Sequence, residues 1–209
     1  MSALISTNLI VGLSPSLRGA FIEHLKSFLP QLATVQLTQA PINAQGMCLC
    51  CQLHNETSER LRDLFMQALQ RKIPAFSTVL VDCQERVDPS SVAYTLGEDF
   101  FLKERYQYRG TILVLDRGLI EQVLVAYEEV VMYFSSTSLI VVSEGLFKDK
   151  TEQQAFMAQL EEIYTHVRIF EPDTPSAQVV NMSALTAENW LSYQIALPNR
   201  KRPKHRLFL

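Results

Sequence analysis

The sequence predicts an α/β fold: a doubly wound, mostly parallel sheet in a single domain. Three observations carry this. Short β-branched apolar runs alternate with helix-patterned stretches, the arrangement that buries each strand on both faces. The chain's 209 residues suit one such domain with a sizeable core. Gly12, Asp82 and Asp116 all fall at the carboxyl ends of predicted strands, the edge where ligands sit in these sheets.

Asn8-Leu9-Ile10-Val11-Gly12 reads as a buried strand ending in glycine. Ser16 to Phe28 follows with helical spacing, Phe21, Leu25 and Phe28 forming the apolar stripe and Ser16 the expected N-cap. Pro30 closes it, and Ala33 to Leu37 alternates as a second strand. After a cysteine cluster, Leu61, Leu64, Phe65 and Leu69 give Glu59 to Arg71 an amphipathic stripe. Thr78 to Asp82 is a strand, and Pro89 opens a helix running towards Tyr106 with a break near Gly97. Thr111 to Asp116 is a strand, Leu119 to Phe134 a helix, and Ser138 to Val142 a strand. Glu152 to Tyr164 is a helix, Val167 to Phe170 a last strand, and Glu171 to Pro175 a loop. Trp190 and Tyr193 belong to a terminal helix over Leu185 to Tyr193 that packs on the core.

Composition narrows the function classes. The apolar share is 47% and the charged share 20%, ordinary for a globular domain, and no apolar run reaches the ~20 residues of a membrane span. Net charge is −3, yet Arg200, Lys201, Arg202, Lys204 and Arg206 all lie in the last ten residues. The rest carries 14 basic against 22 acidic residues, a poor surface for nucleic acid. The tail is expected to be solvated. No secretory leader is read in Met1 to Ile5, and the four cysteines make no disulfide framework, so a cytoplasmic protein with reduced thiols is expected.

Three of the four cysteines lie within Cys48-Leu49-Cys50-Cys51. Thiolates this close suit zinc or copper(I), because one ion can collect several sulfurs from a short segment. Cys48, Cys50 and Cys51 are therefore candidate metal ligands, with Cys83 or His54 as a further ligand. The competing reading is small cysteines packed as apolar side chains. Three ligands from four residues do not easily take relaxed tetrahedral positions, so an open site, or one shared with a partner, is expected. Asp82 and Asp116 read as caps of a helix or loop, and His24 as a structural hydrogen-bonding residue.

Gly46-Met47-Cys48-Leu49-Cys50-Cys51-Gln52-Leu53 resembles the G-C-x-C-C-x-hydrophobic motif of the CobW-like metallochaperone GTPases, a P-loop NTPase family. About thirty residues on, Asp82, Asp88 and Pro89 are similar to that family's Walker B segment, and Tyr108 to Asp116 to its next strand. Gly12 to Leu25 aligns without a gap onto the family's phosphate-binding loop and helix. The resemblance covers most of residues 8–170. It implies a P-loop-type sheet, zinc as the metal, and a nucleotide site at Gly12, Ser16, Arg18, Gly19 and Asp82.

The same alignment exposes departures. A phosphate-binding loop, G-x-x-x-x-G-K-S/T, supplies backbone N–H groups, a lysine for the phosphates and a hydroxyl for Mg²⁺. Here Leu17 replaces the second glycine, Arg18 the lysine and Gly19 the hydroxyl residue, and Pro15 removes a donor. Cys83-Gln84-Glu85 replaces Thr-Thr-Gly of the Walker B segment, and Ser143 to Leu146 replaces the guanine-reading N-K-x-D. Only ten residues separate Leu37 from Cys48, too few for the usual first switch region.

The expectation is a CobW-like pseudo-GTPase over residues 1–170, with a C-terminal extension bearing a terminal helix over 171–197 and a basic tail over 198–209. It would bind zinc through Cys48, Cys50, Cys51 and Cys83 in metal handling, not as an enzyme, with GTP and Mg²⁺ not expected to bind. A metal ion and a client protein are the expected partners, without nucleic acid or membrane. Two alternatives stay open: an active GTP-binding zinc metallochaperone with an aberrant loop, and a non-catalytic interaction scaffold.

Overall fold

The computed structural model describes residues 4–38, 49–84, 87–115, 133–143, 147, 149–170 and 176–193. Six strands form one all-parallel sheet: β1 (Ile5–Val11), β2 (Leu32–Leu37), β3 (Thr78–Cys83), β4 (Tyr106–Leu115), β5 (Thr137–Val142) and β6 (Gln178–Asn181). Their order is β2-β3-β1-β4-β5-β6. From β1 the chain moves outward to β2, returns to β3, then crosses β1 to β4. The crevice between β1 and β3 is thus the point where the winding reverses, and Ile10 pairs with Asp82 across it.

Side-chain alternation divides the core in two. Ile10, Leu80, Ile112, Val114, Leu139 and Val141 face α1 (Pro15–Phe28), through Phe21, Ile22 and Leu25, and the C-terminal Leu185 and Trp190. Leu9, Val11, Val79, Val81, Leu113, Leu115 and Ile140 face the other way. There they meet α2 (Leu49–Leu69), α3 (Pro89–Glu98) and α4 (Lys150–Phe170) through Leu61, Val92, Leu96, Phe156, Leu160 and Tyr164. Reversing the direction of travel after β2 puts the helices on the opposite face, as right-handed crossovers require. Each fully buried aliphatic side chain contributes on the order of 1.5–3 kcal/mol. The short helix α5 (Ala187–Tyr193) carries the buried Trp190, with Tyr193 packed at the margin of the same cluster.

Four expectations need correction. α2 begins at least ten residues before Glu59, so Cys50 and Cys51 are helical rather than part of a turn. The helix opened by Pro89 ends at Glu98, where the Asp99 carboxylate accepts from the backbone N–H groups of Phe101 and Leu102 and turns the chain. Gly110 does not precede β4 but lies inside it: Thr7 pairs with Tyr108 and Asn8 with Gly110, leaving Arg109 as the extra residue of a bulge. Val167 to Phe170 is not a strand. Phe156, Leu160, Tyr164 and Val167 recur at helical spacing against the sheet, while Ile169 is exposed, so burial of one stripe carries α4 through this β-branched run. The sixth strand lies later, at Gln178–Asn181, paired with β5. The expected helix over 119–134 lies mostly outside the described residues. No helix among the described residues is long and apolar enough to cross a membrane.

Candidate functional site

β1 delivers Gly12 to the carboxyl edge of the sheet with φ +153°, and a Cβ there would lie 2.6 Å from the Val114 carbonyl oxygen on β4. Only glycine fits that approach. Three residues later α1 has begun. Ser14 is its N-cap, in place of the expected Ser16, with its Oγ accepting from Leu17 N–H at 3.3 Å and its carbonyl accepting from Arg18 N–H at 3.1 Å. Pro15 at the first helical position needs no partner for an N–H, which makes Ser14-Pro15 the local signal for this start. Ser16 is exposed, its Oγ 3.1 Å from that of Ser14. Gly19 is inside α1, and a Cβ there would meet nothing within 4 Å.

The consequence is geometric. A phosphate cradle is a curved loop whose successive N–H groups converge on an anion. Residues 15–19 are a turn of helix here, and the N–H groups of Leu17 and Arg18 are bonded to Ser14.

Arg18 turns inward from that helix. Its side chain is 2% exposed, its Nε donates to Asp82 Oδ1 at 2.7 Å, and Nη1 donates to the Gly12 carbonyl oxygen. Asp82 is therefore not the cap expected from the sequence: it is the buried counter-ion of Arg18, 6% exposed at the crevice between β1 and β3. The cation that the alignment placed opposite phosphates is neutralised inside the protein, and three of the expected nucleotide residues, Gly12, Arg18 and Asp82, form one closed hydrogen-bonded unit.

The cysteines separate into two environments. Cys51 is exposed in the first described turn of α2 and is not disulfide-bonded. Cys50 precedes it on the same helix, and Cys48 lies outside the described residues. Cys83 ends β3 on the opposite face from Asp82, within the core cluster that includes Leu61 and Val92, its Sγ 3.8 Å from the Val81 carbonyl oxygen. Burial pushes its thiol far above the ordinary cysteine range, Asp82 and Asp88 push it further, and Arg18 offsets only part of this. A thiol held protonated in an apolar core is a poor metal ligand.

His54, three residues after Cys51, is half-buried, with Nδ1 3.0 Å from the Thr95 hydroxyl on α3. Thr95 in turn donates to the Ser91 carbonyl oxygen at 2.9 Å, and Ser91 Oγ donates to Asp88, the N-cap of α3. No sequence signal links His54 to Thr95; the pairing arises from α2 packing on α3. An exposed thiol and an imidazole one turn apart are a donor set that suits zinc. Among the described residues no three His, Cys, Asp or Glu side chains are gathered in one place. Glu85, Asp116, His205 and residues 144–146 lie outside the described residues. His24 is structural, its Nε2 3.1 Å from the Leu185 carbonyl oxygen, tying α1 to the C-terminal segment.

No protein-family model matches this sequence, and no curated protein is significantly similar to it. Among solved structures, the fold is similar to that of the zinc(II)-bound YjiA GTPase from E. coli, with a TM-score of 0.54 and 14% identity over 80% of this chain and 55% of that one. It is also similar to a zinc(II)-bound triple mutant of YjiA GTPase, with a TM-score of 0.57 and 13% identity over 93% of this chain and 62% of that one. The chain spans less than two thirds of the length of either. At this identity the likeness concerns the fold alone, a six-stranded parallel sheet flanked by helices.

Proposed function

We propose that this chain is a CobW-like pseudo-GTPase that binds zinc as cargo through its cysteine run and takes part in metal handling without nucleotide turnover. The observation that carries the first half is the Arg18–Asp82 pair. A cation that must reach phosphate is here bonded at 2.7 Å to a carboxylate and also to the Gly12 carbonyl, under 2% exposure. Freeing it would strand a buried charge, which costs several kcal/mol. The helical start at Pro15 removes the loop that would wrap an anion, and Gly19 offers no hydroxyl for Mg²⁺.

The second half rests on the Cys48-Leu49-Cys50-Cys51 run, on the exposure of Cys51 on α2, and on the zinc named for the two YjiA structures of similar fold. Cys50 and Cys51 are the expected thiolates, with Cys48 from the preceding segment. Zinc would hold them as a reversible ligand set, and the protein's part is to keep them reduced, deprotonated and reachable.

Two titrations of the full chain test this. Calorimetry with GTP and Mg²⁺ should give no heat of binding at micromolar protein; a saturable isotherm would favour the nucleotide-binding alternative. Zinc should bind stoichiometrically and protect the exposed thiols from alkylation, and Cys50→Ser should abolish that protection. Thiols that react at the same rate with and without zinc would leave only the scaffold reading.

A further inference from the structure

We propose that His54 supplies the nitrogen ligand of this zinc site through Nε2, and that Thr95 on α3 is the positioning residue that selects the required tautomer. The proposal rests on the zinc-binding reading above and adds to it a ligand and its support.

Thr95 Oγ1 lies 2.9 Å from the Ser91 carbonyl oxygen and 3.0 Å from His54 Nδ1. A carbonyl oxygen only accepts, so that contact takes the single proton of Thr95. Both contacts are hydrogen bonds only if Nδ1 carries its own hydrogen and donates it to Thr95 Oγ1. The neutral imidazole then presents the lone pair of Nε2, which is the form a metal needs. This is the arrangement in which a partner on one ring nitrogen orients the other for coordination.

Helix register supplies the rest. His54 follows Cys51 by three residues, so its Cα lies about 60° around the helix from that of Cys51. Side chains so spaced have Cβ atoms roughly 5–6 Å apart. One ion with Zn–S near 2.3 Å and Zn–N near 2.0–2.1 Å spans that gap. Cys51 is exposed and His54 half-buried, so the ring can be anchored on α3 while the thiolate side stays open to solvent. Cys83, buried in the apolar core at the end of β3, is not reachable from this face.

α3 is also tied to the crevice. Asp88 caps its first turn, accepting from Ser90 N–H at 2.9 Å and from Ser91 Oγ at 2.6 Å. α3, which opens at the Asp88-Pro89 pair that resembles the family's Walker B segment, thus holds the acceptor that orients a metal ligand on α2.

The probe is cobalt(II) added to the reduced, metal-free full chain, followed by its visible ligand-field bands and its near-ultraviolet thiolate charge-transfer band. His54→Gln should weaken binding at least tenfold and shift the ligand-field bands, while the charge-transfer intensity per bound cobalt stays the same. Thr95→Val keeps side-chain shape but removes the acceptor, and should weaken binding by about 10–100-fold, the usual effect of losing such a partner. Independently of either variant, nitrogen-15 spectra of the metal-free wild type should show the Nδ1–H tautomer of His54. An Nε2–H tautomer, or cobalt affinity and bands unchanged in His54→Gln, overturns the proposal. If Cys50→Ser and Cys51→Ser abolish binding while His54→Gln does not, only the His54 assignment falls. If the cysteine variants also bind normally, the zinc reading falls with it.

Discussion

Arg18 and Asp82, 64 residues apart in sequence, form an ion pair of 2.7 Å between the second turn of α1 and the carboxyl end of β3, both side chains buried. Isolating either partner leaves an uncompensated charge in the core, so Arg18→Met and Asp82→Leu should each destabilise by about 3–5 kcal/mol. Replacing both removes the charges together. The double variant should recover most of that loss, seen as a positive coupling in a denaturant-unfolding cycle. Single variants as stable as the wild type would show that the pair does not hold the crevice shut.

Restoring the missing motif residues should not restore nucleotide binding. The triple variant Leu17→Gly, Arg18→Lys and Gly19→Ser reinstates the side chains of a phosphate-binding loop. The helix start at Pro15 and the Ser14 cap remain, and with them the bonded N–H groups of residues 17 and 18. Calorimetry with GTP and Mg²⁺ should still be silent. Micromolar binding by this variant would mean that side-chain identity, not backbone shape, disables the site.

Much of this was readable in the residues, for identifiable reasons. The strand cores around Leu9, Leu80, Leu113 and Ile140 announced themselves because burial on both faces demands unbroken apolar runs. Pro89 marked a helix start because its ring suits only that position. Two places misled. Val167 to Phe170 has strand-like composition, but its register continues the stripe of Phe156, Leu160 and Tyr164, and tertiary burial outweighs local preference. The cysteine run looked like a turn, whereas Leu49 onwards is helical. At the site, alignment brought Arg18 and Asp82 near each other, yet nothing local says that the arginine turns inward. The contact of His54 with Thr95 depends on helix packing and left no mark in spacing.

The two glycines of the altered loop should behave oppositely. Gly12→Ala places a Cβ 2.6 Å from the Val114 carbonyl oxygen at a positive φ, and should cost about 1–3 kcal/mol or more. Gly19 lies in a helix with open space around it, so Gly19→Ala should stabilise by roughly 0.5–1 kcal/mol. Thermal unfolding of the two variants checks both signs. A destabilised Gly19→Ala would point to a backbone approach at that position.

Asp99 should make stability fall in acid. Burial raises its carboxyl, but hydrogen bonds from Ser58, Leu102 N–H and Phe101 N–H, together with Arg62, outweigh this and hold it below the ordinary aspartate range. A carboxylate more acidic in the folded state stabilises fully above the unfolded value of about 3.9, and that contribution fades as pH drops through the folded value. Asp99→Asn should therefore lose about 1–3 kcal/mol at neutral pH. The gap to wild type should narrow below about pH 3.9 as the native carboxylate protonates. A gap that is independent of pH would mean that shape, not charge, accounts for the loss.

Cys83 provides the sharpest contrast within the cysteine set. It ends β3 in the apolar core, where burial first, then Asp82 and Asp88, keep the proton on sulfur. Alkylation at mild alkaline pH should modify Cys51 rapidly and Cys83 only after denaturant is added, as read by peptide mass. Because the folded protein would have to expose and ionise that thiol to use it, Cys83→Ser should leave zinc affinity within about twofold of wild type, the ordinary scatter of such comparisons. The same substitution should cost about 1–3 kcal/mol of stability, since it places a stronger polar group among Leu61, Val92 and Val81. A tenfold loss of zinc affinity in Cys83→Ser, with folding intact, would require the core to open around β3 during metal binding and would return this thiol to the ligand set.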